Sequence, residues 1–220
     1  MDWFTADTHF GHSNILKYCN RNPWMTEAEI KAVAEEKAAY AAGENYPKVR
    51  ISRESTEAMD ADLIANINER VDEDDVLWHL GDFCFGSGNS LEIARRYRQR
   101  INCKNIIIVW GNHDRYEIGP VFNRSYDLHM VRHASGQRIV LCHYAMAVWE
   151  GSHKGNWQLF GHSHGTLNPW VDTHMPTAKM LDVGVDNAAK ICGSYRPLSF
   201  NEIKVLMDAK IGTKVDHHGE

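Results

Sequence analysis

Five short apolar runs in this chain each lead into a histidine, aspartate or asparagine, and no other feature limits the fold as tightly. Residues 3–6 lead to Asp7 and His9, 76–80 to Asp82, 106–110 to Asn112 and His113, 139–142 to His143, and 159–160 to His162 and His164. Short apolar runs bounded by turn residues suit buried strands, and α/β proteins collect their chemistry where strands end in loops. Buried imidazoles and carboxylates are costly unless paired or metal-bound, so packing alone does not explain their joint occurrence at these ends. Asp82 stands in the middle of the set, where one carboxylate can be shared by two cations.

Composition bounds the rest. With 220 residues and 43% hydrophobic content, the chain can bury one sizeable core. A single domain over residues 1–210 is expected, with residues 24–55 as a helical insertion and 211–220 as a flexible tail. The formal net charge of -5 argues against a protein that coats nucleic acid or an anionic membrane, so a polyanion must be met by local groups. No apolar run approaches the roughly 18 residues of a membrane span, and the N-terminus starts on a strand-like run without a leader. No membrane partner and a cytoplasmic location are expected. The five cysteines are scattered, without C-x-x-C pairing, and read as reduced, mostly buried thiols.

Along the chain, a strand over 1–6 precedes the loop Asp7-Thr8-His9-Phe10-Gly11-His12, and Ser13 or Asn14 caps a short helix through Cys19. Thr26-Glu27-Ala28-Glu29 is a capping box opening a helix that Gly43 ends. A second helix is expected over 55–70, its Met59, Leu63, Ile64 and Ile67 forming a core-facing stripe. Ser90 caps a helix to about Arg100, whose arginines read as a solvated face. Residues 105–111 form a strand buried on both faces, 128–133 and 138–143 a hairpin, and 158–160 and 180–185 two further strands. Ser199-Phe200-Asn201-Glu202 opens a last helix to about Ala209.

Asp and His one residue apart can turn into the same cavity where strand alternation breaks into a loop, as in Asp7-x-His9 and His162-x-His164. Each pair alone is a weak signal; their co-occurrence is specific. Mixed oxygen and nitrogen donors without cysteine disfavour a structural zinc site and favour a catalytic pair of divalent ions. Two ions about 3.5–4 Å apart lower the pKa of a bridging water and clamp a phosphoryl group for in-line displacement. That chemistry is hydrolytic.

Asp7-Thr8-His9, Gly81-Asp82, Gly111-Asn112-His113-Asp114, His143 and Gly161-His162-Ser163-His164 resemble, in order and spacing, the signature of the calcineurin-like metallophosphoesterases. Residues 182–186 are a weaker echo. The resemblance implies an α/β fold, a four-layer αββα sandwich of two mixed β-sheets flanked by helices, with a dinuclear site at the strand ends. It implies that Asp7, His9, Asp82 and His164 hold one ion and that Asp82, Asn112, His143 and His162 hold the other. Mn2+ is the first choice, with Fe, Ni, Zn or Mg as alternatives. His113 resembles the general acid of the family, and His12 and Asn112 are candidate contacts to substrate phosphate.

Phe85 stands where the protein-phosphatase branch carries an acidic residue, and the arginine that follows it there is missing. The chain is thereby more similar to small bacterial or phage-type phosphodiesterases that begin with a D-T-H-F-G-H loop. The expected function is a metal-dependent phosphoesterase cleaving phosphodiesters, and also phosphomonoesters, of a small organic phosphate or nucleotide. A nuclease of the same superfamily and a non-catalytic metal-binding scaffold are the alternatives; nucleic acid is the less favoured partner. The 24–55 helix reads as outer decoration rather than a lid, and the loop 144–157, with Trp149, His153 and Lys154, as the source of leaving-group contacts.

Overall fold

Strand alternation sorts the apolar runs into layers. The computed structural model describes residues 1–86 and 88–210. Strands β1 (Asp2–Thr5), β2 (Val76–His79), β3 (Asn105–Val109), β4 (Arg124–Tyr126) and β9 (Leu198–Ser199) form one sheet in the order β4-β3-β2-β1-β9. In it β1 to β4 run parallel and β9 is antiparallel. Strands β5 (Leu128–Arg132), β6 (Arg138–Cys142), β7 (Trp157–Phe160) and β8 (Met180–Asp182) form the second, with β6, β7 and β8 parallel and β5 antiparallel to β6. Both sheets are therefore mixed.

Successive side chains on a strand point to opposite faces. Phe4, Trp78 and Val109 turn inward and meet Ile139, Leu141 and Leu159 of the second sheet in one buried cluster. Their neighbours Trp3, Leu77, Ile106 and Ile108 turn outward, onto the apolar stripe of helix α3 (Arg53–Arg70) and onto α1 (Ser13–Tyr18) and α4 (Ser90–Arg98). On the far side Val140, Phe160 and Met180 pack against Val171 of α5 (Asn168–His174). The result is helix, sheet, sheet, helix, as the motifs imply. Burying one such aliphatic or aromatic side chain contributes about 1.5–3 kcal/mol, so a one-residue slip of β1 would exchange both its faces at considerable cost.

Local signals placed several elements well. Thr26 and Glu29 make the capping box of α2 (Glu27–Ala41), and Ser199 and Glu202 that of α7 (Phe200–Asp208). Helix α3 starts earlier than expected, because Ser52, rather than a later residue, accepts from the Ser55 amide. Asn89, not Ser90, caps α4. Neither Ser13 nor Asn14 caps α1, whose cap position is His12. The strand expected over 180–185 stops at Asp182, and α6 (Val185–Cys192) begins at once. Cys84 and Cys103 are buried, Cys19 and Cys142 half-buried and Cys192 exposed, and all are free thiols, so fewer are buried than expected. Among the described residues no helix is long and apolar enough to cross a membrane. The tail expected at 211–220 lies outside the described residues.

Glu29 ties the long helix α2 to α3, since its carboxylate accepts from the amide of Thr26 at 2.8 Å, the amide of Ser52 at 2.7 Å and the hydroxyl of Ser55 at 2.7 Å. Burial pushes its carboxyl up, but these donors outweigh that and bring it down from 4.5 to about 2. The folded pKa lies below the unfolded one, so the stabilisation is complete above about pH 4.5 and is lost as pH falls toward about 2. Urea unfolding should show Glu29→Gln less stable than wild type by about 1 kcal/mol at pH 7, the usual worth of a helix cap. That gap should narrow as pH falls below about 4.5 and close near pH 2; a pH-independent difference would contradict this account.

Candidate metal centre

Five of the seven expected ligands share an unusual backbone. Asp7, His9, Asp82, His162 and His164 have φ between 49° and 66°, and among the described residues Asn20 is the one other non-glycine with positive φ. Such residues cost of order 1–3 kcal/mol each and persist only where surrounding structure over-determines them. Here the fixing contacts are visible. Asp7 N–H bonds to Gly81 O and His9 N–H to Asp82 O, each at 3.0 Å, so the loops after β1 and β2 are laced together. The amide of His162, after β7 in the other sheet, donates to both oxygens of Asp7 at 3.0 and 2.9 Å. Each loop turns its side chain back over the strand ends because its neighbour holds it there.

Three donor groups result among the described residues: Asp7, His9 and His164; Asp82, His143 and His162; and Cys19 and Asp186, which share His164 with the first. Asp82 lies between the first two: its Oδ2 is 3.6 Å from His9 Nε2 and 3.4 Å from His143 Nε2. Its Oδ1 accepts from the amide of His113 at 2.9 Å. The approach is so close that a Cβ on Gly111 would fall 2.3 Å from Asp82 Oδ1. Asn112 joins the second cluster, its Oδ1 3.1 Å from His143 Nε2. All seven expected ligands thus converge at the facing edges of the two sheets.

The donor set fits a cation on three observations. His9 is 2% exposed, yet neither of its ring nitrogens has a hydrogen-bond partner, and an orphaned buried imidazole is costly. His143 Nδ1 lies 2.7 Å from Leu80 O and must donate to it, so in the neutral ring Nε2 directs a lone pair between two acceptor oxygens, Asp82 Oδ2 and Asn112 Oδ1. Only a proton or a metal ion reconciles those three atoms. Finally, burial raises the carboxyl of Asp7 to about 7, although His164 lowers it, so the buried acid lacks a sufficient counter-charge.

Supporting residues that the sequence reading did not single out hold this set in place. Arg21, fully buried, grips Asp186 through Nε at 2.9 Å and through its second terminal nitrogen at 2.8 Å. It also donates to Asp7 O at 2.7 Å and Thr8 O at 3.2 Å. Asp186 in turn accepts from His164 Nδ1 at 2.6 Å, which leaves Nε2 as the free donor atom, the carboxylate–histidine arrangement usual behind metal ligands. Asp114 accepts from the amides of Asp82, Phe83 and Gly111 at 2.7, 2.9 and 2.9 Å, joining the loops after β2 and β3. Burial raises its carboxyl to about 6 despite those bonds. Asp114 and Asp186 were visible within their motifs; Arg21 had no local signal.

The substrate-side residues are arranged differently. His113 is exposed, its ring edge-on to His9 at 5.4 Å and to Phe85 at 5.8 Å. His12 stacks on Phe85 at 4.3 Å, and burial, then the nearby His113, bring its imidazole down to about 4. The loop 144–157 reaches the cluster through Tyr144, whose ring is 4.8 Å from His162. Trp149 is buried in the core beneath the second sheet, donating to Asn156 O, and His153 and Lys154 do not line the cavity before the cluster.

Two face-to-face mixed sheets between helices, with acidic and imidazole donors at the strand ends, define a phosphoesterase-type architecture. A family model of the calcineurin-like phosphoesterase superfamily domain matches residues 59–181, a little over half of the chain, and the protein belongs to that superfamily. Its members are generally hydrolases that bind divalent metals. The chain is also similar to uncharacterized protein MJ1445 of Methanocaldococcus jannaschii, at 26% identity over 94% of this chain and 90% of the relative. The crystal structure of protein of unknown function AQ665 from Aquifex aeolicus shares the fold, with a TM-score of 0.58 and 22% identity over 94% of this chain and 98% of that one.

If Arg21 holds the site through Asp186, Arg21→Met removes both guanidinium bonds to a buried carboxylate and leaves it only the contact with His164. Such a break costs about 3–5 kcal/mol, whereas Lys31→Met, which removes an exposed ion pair, costs under about 1 kcal/mol. Chemical denaturation of the two variants should separate them accordingly; equal losses would count against the assigned role.

Proposed function

We propose that the protein is a metal-dependent phosphoesterase that cleaves phosphodiesters of a small organic phosphate or nucleotide, and also phosphomonoesters, at a centre of two divalent ions. The observation that carries this reading is the position of Asp82 Oδ2 between His9 Nε2 and His143 Nε2, at 3.6 and 3.4 Å. One carboxylate facing both clusters is the geometry a bridged pair of ions requires. Asp7, His9, Asp82 and His164 would hold one ion, and Asp82, Asn112, His143 and His162 the other. Mn2+ is the first choice, since oxygen and imidazole donors suit it, while Fe, Ni, Zn and Mg are the alternatives. When bound, such a pair supplies Lewis acidity toward the phosphoryl oxygens and an activated water as nucleophile.

The remaining steps belong to side chains. His113 reaches past the cluster on a backbone fixed by its amide bond to Asp82, and it donates the proton that the leaving oxygen takes up as the ester bond breaks. The ring of Phe85 stands edge-on to that of His113 at 5.8 Å. Asn112, already beside His143, presents its amide nitrogen to a phosphate oxygen. His12, neutral at pH 7, faces the same space and can donate one ring N–H to the phosphate.

Metal-stripped protein reloaded with Mn2+ should bind two ions and hydrolyse bis(p-nitrophenyl) phosphate faster than p-nitrophenyl phosphate. Asp82→Asn should lose both turnover and metal stoichiometry. His113→Ala should lower kcat by about 10²–10⁴-fold for an alkyl leaving group and by less for p-nitrophenolate, which departs without a proton. Absence of turnover of either ester with Mn, Fe, Ni, Zn or Mg would overturn the proposal.

A further inference from the structure

A cavity of about 800 Å³ opens in front of His9, His113, His162 and His164 and extends well beyond them. That volume lies in the range of about 300–1,000 Å³ that accepts a whole small-molecule ligand, so the space is larger than one phosphate requires. Past the imidazoles its wall is formed by Ile15 and Tyr18 of α1, Asn20, Lys190 of α6, and Tyr195. These residues differ in kind from the donors around Asp82. They offer an aromatic and aliphatic surface with one fixed cation.

Tyr18 is 63% exposed on this wall, with its ring edge-on to His12 at 6.4 Å. Its backbone is not free to follow it into solvent. Lys37 of α2 donates to Lys17 O at 2.7 Å and to Asn20 Oδ1 at 2.6 Å, so α2 clamps the turn on both sides of Tyr18. Asn20 holds a positive φ of 54° under that clamp. An aromatic ring left exposed on an anchored backbone is preorganised for a planar partner and loses little conformational freedom on contact. Lys190 is held at the rim by its bond to His164 O at 3.0 Å, with two further N–H groups available.

We infer that the ester taken at this site is a nucleotide, whose base stacks on Tyr18 while its phosphate faces the histidine and aspartate cluster. The placement of the phosphate rests on the phosphoesterase reading above; the base-binding surface rests on the cavity and the clamped Tyr18. A sugar leaving group would call for several free hydrogen-bonding groups, yet the side-chain oxygen Oδ1 of Asn20 is already engaged by Lys37. A lipid chain would meet Lys190 and Thr166 along the same wall. A base presents a π-face to the ring and polar edges to the ammonium, and stacking of this kind tolerates any of the bases.

The test compares AMP with ribose 5-phosphate, which carries the same phosphate without the base, by calorimetry on the Mn2+-loaded protein. AMP should bind at least about 10-fold more tightly to wild type. Tyr18→Ala should weaken AMP about 5- to 100-fold and leave ribose 5-phosphate within about twofold, and Tyr18→Phe should keep the AMP advantage. Equal affinities for the two ligands in wild type, or an undiminished AMP advantage in Tyr18→Ala, would overturn the inference. Protein that cleaves bis(p-nitrophenyl) phosphate but treats AMP and ribose 5-phosphate alike loses only the base site. Protein that prefers AMP through Tyr18 but cleaves no ester keeps the base site and loses the reaction.

Discussion

The molecule depends on one electrostatic problem, the gathering of the buried carboxylates Asp7 and Asp82 with several imidazoles between two sheets, where Arg21 bonds the Asp7 carbonyl but neither carboxylate. Asp7 is fully buried, Asp82 nearly so, and His9 and His143 lie at 2% and 0% exposure beside them. Burial pushes Asp82 up, but the hydrogen bond and charge of His143, with His9, outweigh it and hold the carboxyl below its usual range. The same contact raises His143 against the effect of its own burial. Each group is therefore tolerable only because of the others, and the set as a whole matches cations better than protons.

Holding such a set together requires rigidity that propensity does not supply. The left-handed residues at the strand ends are held by backbone bonds between loops that belong to different strands, and across the two sheets by the His162 amide on the Asp7 carboxylate. Glycines flank them because no side chain fits: a Cβ on Gly161 would lie 2.6 Å from Ala6 Cβ and 2.8 Å from Asp7 Oδ2. Behind this layer Arg21 and Asp186 form a fully paired buried ion pair that fixes His164 and the Asp7 carbonyl at once. The long helix α2, which the sequence suggested was decoration, reaches the rim of the cavity through Lys37.

Much of the site was legible because its ligands sit at the ends of runs whose period-two pattern is local. Asp7, Asp82, Asn112, His143 and His162 each follow a strand by one to three residues, and parallel strands bring their C-terminal ends to the same edge. The capping boxes at Thr26 and Ser199 were legible for the same reason, since a cap is settled within four residues. The strand expected over 180–185 ran three residues too far because 181–185 alternates like one; it ends at Asp182, where the amide of Gly184 bonds to Asp182 Oδ1 and that of Val185 to Ala6 O. Trp149 was taken for a site residue because a loop tryptophan carries no sign of burial in its neighbours.

What the sequence by itself determined is the donor inventory, the strand ends that carry it and the alternation that makes two layers of sheet. These are encoded in spacings of a few residues. The tertiary structure alone decided that Asp82 Oδ2 faces both His9 and His143, that Arg21 anchors Asp186 across 165 residues, and that Tyr18 borders the cavity. Those relations join groups far apart along the chain, and no local pattern records them, because the cost of burying a charge depends on what lies across the gap rather than on what precedes it in sequence.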